Sequence, residues 1–410
     1  MSKNVISSFL EHKQKPKELD DDFFTVALDT SETYSPARKI GELLKKELAH
    51  NPAFYFFSPD ETTSNKLDAV FDVEKRAWTL PKEPWDLPEH ENGRIIELLS
   101  ENILFSVMTG HVLNGEPAML ASYEAFLNII TSQLLQQIKF IKQCNHVIWR
   151  PKYPAINLLS TSTCWRQDHN GFTHQSPALI STLLANPTNL ANCFFPVDDI
   201  AAEEIFHYML KSTNVVNLTT FNKIDEPRFL DKNTAKNQLK NHGLTIFDDF
   251  SDEKPDIIFT AAGDIATKEA LEAIKILKID LPTVKIRFVN IAALSYRSIG
   301  TIDNKLTTSD FNDIFTAHQP IIANFHGYPE TFETILENYT HRGRLRVHGF
   351  NEEGSTTTPF EMLRKNAASR YDLAIDVANL ANRQDLIQKY QDILRKNHEH
   401  ALEFGEDLIK

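Results

Sequence analysis

Hydrophobic positions become regular along the chain from about Ser35. In "SPARKIGELLKKELAHN" the residues Ile40, Leu43, Leu44 and Leu48 recur at helical spacing, Ser35 can cap the first turn and Pro36 suits its opening, so a helix is expected. "AFYFFSPDETTSN" reads as a short aromatic strand running into a polar loop, and "RIIELLSEN" as a second strand ending at Glu101. "SYEAFLNIITSQLLQQIKFI" has the period of a long amphipathic helix beginning near Ser122, and "AINLLSTST" that of a third strand. "NCFFPVDD", "IAAEEIFHYMLKST" and "NVVNLTTFNK" then supply strand, helix and strand, an alternation that predicts a parallel sheet with helices on its faces. The polar, Pro/Gly-marked stretch "IDEPRFLDKNTAKNQLKNHG" marks a boundary. Beyond it "PDIIFTAAG", "IATKEALEAIKILKID" and "VKIRFVNIAAL" form another strand, helix and strand, followed by "QPIIANFHGYP" and a helical C-terminal region. The expected fold class is α/β with two doubly wound domains: residues 1–34 a polar leader, 35–225 the first domain, 226–250 a linker and 251–410 the second domain.

Composition narrows the function. The net charge of -13, from 43 Lys+Arg against 56 Asp+Glu, repels nucleic acid and anionic membrane, so neither is an expected partner and any anionic ligand needs a local cationic cluster. The three cysteines, Cys144, Cys164 and Cys193, show no CxxC spacing, which argues against a disulfide scaffold or a structural zinc site, and no metal ligands are assigned. The N-terminal stretch lacks the apolar core of a signal peptide, and no run approaches the roughly 20 apolar residues of a membrane helix. A cytoplasmic location is therefore expected.

Polar clusters stand at four expected strand ends of the first domain: "SPDETTSN", "SEN", "RQDHNGFTH" and "FNK". Parallel strands would bring those ends to one edge, where Ser64, Glu101, Gln167, Asn170, His174 and Lys223 could line one cleft. Lys and His offer charge to a phosphate, while Ser, Asn and Gln bond hydroxyl and phosphoryl oxygens. The plain alternative is that strand-end loops are polar in any protein, with Asx turns explaining the Asp-His-Asn run. Glu101 follows an apolar run, so a partly buried carboxyl group is expected, with a helix cap or surface ion pair as the structural alternative. Two further runs read as structural. Gly263-Asp264 with Asn290 approaches a metal and diphosphate motif but has Ile265 where glycine belongs, and "GSTTTPF" before Pro359 reads as a helix cap.

Taken in order, "SPDETTSN", "LLSEN", "ASYEAFLNII", "WRQDHNGFTHQSP", "AAGDIATKEALEA", "HGYP" and "EEGSTTTPFEM" resemble the C-terminal half of the phosphoketolases, thiamine diphosphate-dependent relatives of transketolase. The resemblance runs from about Ser35 to about Asp372. It implies a pyrimidine-binding domain followed by a transketolase-type C-terminal domain. The implied reaction is cleavage of xylulose 5-phosphate or fructose 6-phosphate by inorganic phosphate to acetyl phosphate and an aldose phosphate. By the same resemblance Glu101 bonds the aminopyrimidine of the cofactor, and Tyr123 and Phe126 pack beside that ring. Ser64, Tyr123, Gln167, Asn170 and Lys223 fall at substrate and phosphate positions, and His174 joins Glu101 as catalytic. The sequence departs from the pattern at Asn102-Ile103 and at "LNGEPA", and the half that carries the diphosphate motif lies outside this chain. The cofactor would then be shared with a partner, an N-terminal-half subunit or a second copy, which would also hold Mg²⁺. A non-catalytic relative and a fragment of a longer enzyme are the alternatives.

Overall fold

The computed structural model describes residues 33–86 and 89–409. Residues 1–32 of the expected leader lie outside the described residues, and Thr33–Tyr34 form a short strand paired with Glu226–Pro227.

Two sheets organise the chain. In the first, Ala191–Phe194, Val216–Thr220, Ile156–Thr161, Ala118–Tyr123, Tyr55–Ser58 and Ile95–Glu97 lie side by side and all parallel, with Arg76–Ala77 and Glu89–His90 extending one edge. The second places Ile286–Ile291, Ile257–Ala262, Ile321–Phe325 and Leu345–His348 in parallel, with Leu244–Ile246 antiparallel at its edge. One apolar core is continuous between them: Leu158 and Leu218 of the first sheet share a cluster with Ile291, Ala323 and Phe325 of the second.

Several elements differ from the sequence reading. The strand expected to end at Glu101 stops at Glu97; the chain turns outward through Leu98 and Leu99, and the Ser100 side chain accepts from Ile103 N to open the helix Glu101–Leu113. Glu101 is thus the first residue of a helix. The long helix expected from Ser122 begins as a strand, Ala118–Tyr123, followed by one turn at Glu124–Leu127 and the helix Thr131–Cys144. Strands covered on both faces lack polar alternation, so pairing with Ile156–Thr161 decides this element where local period cannot. The expected linker contains the helix Lys232–Lys240 and the edge strand Leu244–Ile246. Finally, "VKIRFVNIAAL" divides: Ile286–Ile291 stays in the second sheet, whereas Ala293–Ser295 crosses to the first and pairs antiparallel with Ala191–Phe194.

Candidate functional site

The parallel order brings the carboxyl ends of Tyr55–Ser58, Ile95–Glu97, Ala118–Tyr123, Ile156–Thr161 and Val216–Thr220 to one edge, where such sheets bind ligands. Glu101 stands there at a helix N-terminus, 9% exposed, with Ser122 Oγ donating to its Oε1 at 3.3 Å. No other side-chain bond to this carboxyl group is present among the described residues. It is a nearly buried acceptor with capacity to spare.

Tyr123 is the hub beside it. Its hydroxyl lies 3.1 Å from Ser64 Oγ, the Lys223 ammonium sits 5.0 Å from its ring centre, and Phe126 stacks on it at 5.9 Å with planes 5° apart. His174 meets the Phe126 ring edge-on at 5.0 Å and shares a bond with Thr173 Oγ1 at 2.9 Å. The backbone explains the spacing, because Tyr123 ends a strand and the next four residues coil into a single turn that carries Phe126 back over it. Five of the expected residues, Ser64, Tyr123, Phe126, His174 and Lys223, therefore form one contact group.

Gln167 and Asn170 join each other, with Asn170 Nδ2 donating to Gln167 Oε1 at 2.5 Å. Gln167 is fully buried, and its Nε2 has no partner among the described residues. A buried donor left open is costly, so a ligand oxygen is a natural complement. Gln175 holds this loop in place: its Nε2 donates to Gln167 O at 2.9 Å and Ser355 O at 3.0 Å, and its Oε1 accepts from Ser355 N at 2.8 Å. Thr357 N donates to Asp168 O at 3.0 Å, so the hydroxyl-rich run of the second domain buttresses the loop. Gly171, at φ 76°, passes so close that a Cβ would lie 2.9 Å from Thr356 Oγ1. Arg166 points away to Glu226, which Lys268 also engages.

Two acids here escaped the sequence reading. Glu61 Oε2 accepts from Tyr123 N at 3.1 Å, and burial, reinforced by the neighbouring Glu101, pushes its carboxyl group up to about 8. Glu124, 3% exposed, accepts from Cys164 N at 2.7 Å and bonds His326 Nε2 at 2.8 Å. Nothing in a linear pattern shows that an acid in a loop, or at the start of a single helical turn, faces inward. The Gly263-Asp264 run serves packing: Asp264 bonds Asn222, and Asn290 bonds Gln238 and Thr267.

The family model described as D-xylulose 5-phosphate/D-fructose 6-phosphate phosphoketolase matches residues 38–212, and that of the XFP C-terminal domain matches residues 223–410. The chain belongs to the phosphoketolase family. A probable phosphoketolase of Bradyrhizobium diazoefficiens is 34% identical over 389 residues, covering 92% of this chain and 48% of the relative. One from Methylococcus capsulatus is 37% identical over 339 residues, covering 81% of this chain and 41% of the relative. The chain thus spans about half the length of these curated phosphoketolases. Among solved structures, transketolase from Leishmania mexicana superposes with a TM-score of 0.65 at 13% identity, covering 94% of this chain and 50% of that one. A split-gene transketolase described as an inactive β4 tetramer gives 0.57 at 15% identity, covering 86% of this chain and 98% of that one. The fold is transketolase-like, in keeping with two α/β domains.

Proposed function

We propose that this chain supplies the pyrimidine-binding half of a thiamine diphosphate-dependent phosphoketolase site, with the diphosphate and Mg²⁺ held by a partner segment. The observation that carries the reading is Glu101, a nearly buried carboxyl group with an uncommitted acceptor, bonded to Ser122, whose neighbour in the chain, Tyr123, stacks on Phe126. That combination fits an aminopyrimidine, which needs a carboxyl partner at a ring nitrogen and an aromatic wall. The diphosphate end finds no such fit at the Gly263-Asp264 run, since Asp264 and Asn290 are spent on packing.

When bound, the cofactor supplies the carbon nucleophile that attacks the ketose phosphate. Glu101 holds the aminopyrimidine and exchanges a proton with its nitrogen, while Tyr123 and Phe126 fix the ring's plane. Lys223, Ser64, Asn170 and the open Gln167 Nε2 receive hydroxyl and phosphoryl oxygens, and His174 moves a proton at substrate. The overall reaction turns xylulose 5-phosphate or fructose 6-phosphate plus inorganic phosphate into acetyl phosphate, a shortened aldose phosphate and water. Similarity to an inactive tetramer of a split-gene transketolase supports a half that needs a companion.

The test traps acetyl phosphate as its hydroxamate. The chain alone, with thiamine diphosphate, Mg²⁺, phosphate and either sugar phosphate, is expected to give none. Mixing it with a separately produced phosphoketolase N-terminal half should restore turnover, and Glu101→Gln should lower that turnover about a hundredfold or more. An inactive mixture, or full activity of Glu101→Gln, overturns the reading.

A further inference from the structure

His326 follows the strand Ile321–Phe325 of the second sheet and is 1% exposed. Its backbone N donates to Ala262 O, and its carbonyl accepts from Trp165 Nε1, both at 2.8 Å. Its imidazole Nε2 bonds Glu124 Oε1 at 2.8 Å, and the other oxygen of Glu124 accepts from Cys164 N at 2.7 Å. Glu124 stands directly after Tyr123 and two residues before Phe126, while Cys164 opens the loop that carries Gln167, Asn170 and His174. On the second-domain side, Asp264 accepts from both Asn222 N at 2.9 Å and Asn222 Nδ2 at 2.7 Å, and Asn222 precedes Lys223. The approach is tight: Gly263, at φ 118°, lies where a Cβ would come 2.7 Å from His326 Cβ.

We propose that His326 is the positioning residue through which the second domain sets the geometry of the site, holding the aromatic pair and the substrate loop through its bond to Glu124 and balancing the charge of Asp264, which anchors the Lys223 segment. A sulfur of Cys164, an oxygen of Glu124 and a nitrogen of His326 do lie within 4.8 Å of one another. Both Glu124 oxygens, however, are already taken up by the imidazole and a backbone N–H, so hydrogen bonding accounts for the cluster. The groups facing the imidazole are the carboxylates of Glu124 and Asp264 and the Cys164 thiol, with the Phe195 ring 6.2 Å away. Burial alone would favour a neutral imidazole, but Glu124 and then Asp264 outweigh it and hold the ring's pKa above its ordinary 6.5. Burial and Glu124 keep the thiol protonated. Losing the imidazolium charge leaves the buried Glu124 and Asp264 carboxylates without a counter-charge, a costly state that is relieved by opening toward water, and the backbone N–H bonds they accept open with it.

The functional meaning of this inference rests on the site proposed above, but its test does not. Hydrogen exchange is measured on the full chain, without substrate, at the amides of Cys164 and Asn222, with Leu218 inside the first sheet as reference. Protection factors at Cys164 and Asn222 are expected to fall together, about tenfold or more, as pH rises through the His326 titration above 6.5, while Leu218 holds. His326→Gln should show the lowered values at both amides and no pH dependence. Unchanged protection, a fall at one amide only, or an equal fall at Leu218 overturns the proposal. The wild-type titration alone decides the matter if the variant does not fold. Failure of the hydroxamate assay leaves this result standing, and failure here leaves the reaction untouched.

Discussion

Glu61 shows how a single side chain can reverse its ordinary chemistry inside the site. Burial is the main force raising its pKa; the Tyr123 N–H bond and Lys223 pull it down, Glu101 pushes it up, and the balance rests at about 8. At pH 7 the folded protein therefore carries Glu61 largely as the neutral acid, beside a second carboxyl group at Glu101. In the unfolded chain the same group titrates near its ordinary 4.5. The folded state thus binds the proton more tightly: the stabilisation is fully present below pH 4.5 and is lost as pH climbs through 8. That loss is on the order of 5 kcal/mol. Glu61→Gln keeps the shape without the ionisation, so its urea midpoint should match the wild type near pH 4 and exceed it at pH 9. Parallel midpoints at both values would show that Glu61 is not held neutral. The sequence singled out Ser64, Glu101, Gln167 and Lys223 because each lies in a polar run that follows an apolar one. Glu61 sits among other polar residues in "SPDETTSN", where only the backbone bond from Tyr123 reveals which acid faces inward.

Elements were legible where local signals and tertiary pairing agree. The helix Pro36–His50 begins as its sequence says, with Ser35 accepting from Arg38 N. The strand Ala118–Tyr123 was hidden because its residues are covered on both faces, and because Leu134, Ile138 and Ile141 continue a helical period just beyond it. Caps tell the same story. The run before Pro359 reads as a self-capped helix, yet no Thr358 side chain caps it; Asp407 reaches in from the C-terminal end, accepting from Thr358 Oγ1 at 2.6 Å and Phe360 N at 2.7 Å. A cap supplied from 47 residues away cannot be read from a local window. Asp407→Ala should cost about 1 kcal/mol, visible as a small drop in the thermal midpoint and as lost exchange protection at the Phe360 amide. Because Ser355 and Thr357 of the same run bond Gln175 and the Asp168 backbone, protection at Thr357 should fall with it. A variant that exchanges like the wild type at both amides would show that Asp407 is not the cap.

At the scale of the whole molecule, the alternation of strands and helices was enough to foresee two parallel α/β units, but not how they are tied together. "VKIRFVNIAAL" is one apolar run, and only long-range pairing decides that Ile286–Ile291 belongs to one sheet and Ala293–Ser295 to the other. After that crossing, Ser298–Thr301 and Asn304–Lys305 continue the first sheet antiparallel, so its outer strands come from residues that follow the second sheet's first two parallel strands. The continuous core adds to the tie, because Leu158 and Leu218 pack in one cluster with Leu294, Ile299 and Phe325. His326 and Asp264 extend it to the polar edge, where they hold Glu124 and Asn222. A fragment ending at residue 250 would keep every expected site residue, yet it would lose the strands that cover the Ala191–Phe194 edge and the apolar partners of Leu158 and Leu218. An exposed hydrophobic sheet edge and face favour association and loose packing. Such a fragment is therefore expected to bind a hydrophobic dye, to sediment as aggregates and to melt without a cooperative transition, while the full chain melts cooperatively. A monomeric fragment with a sharp thermal transition would mean that the first sheet needs neither its returning strands nor the second sheet to fold, and that the site residues are positioned by the first domain alone.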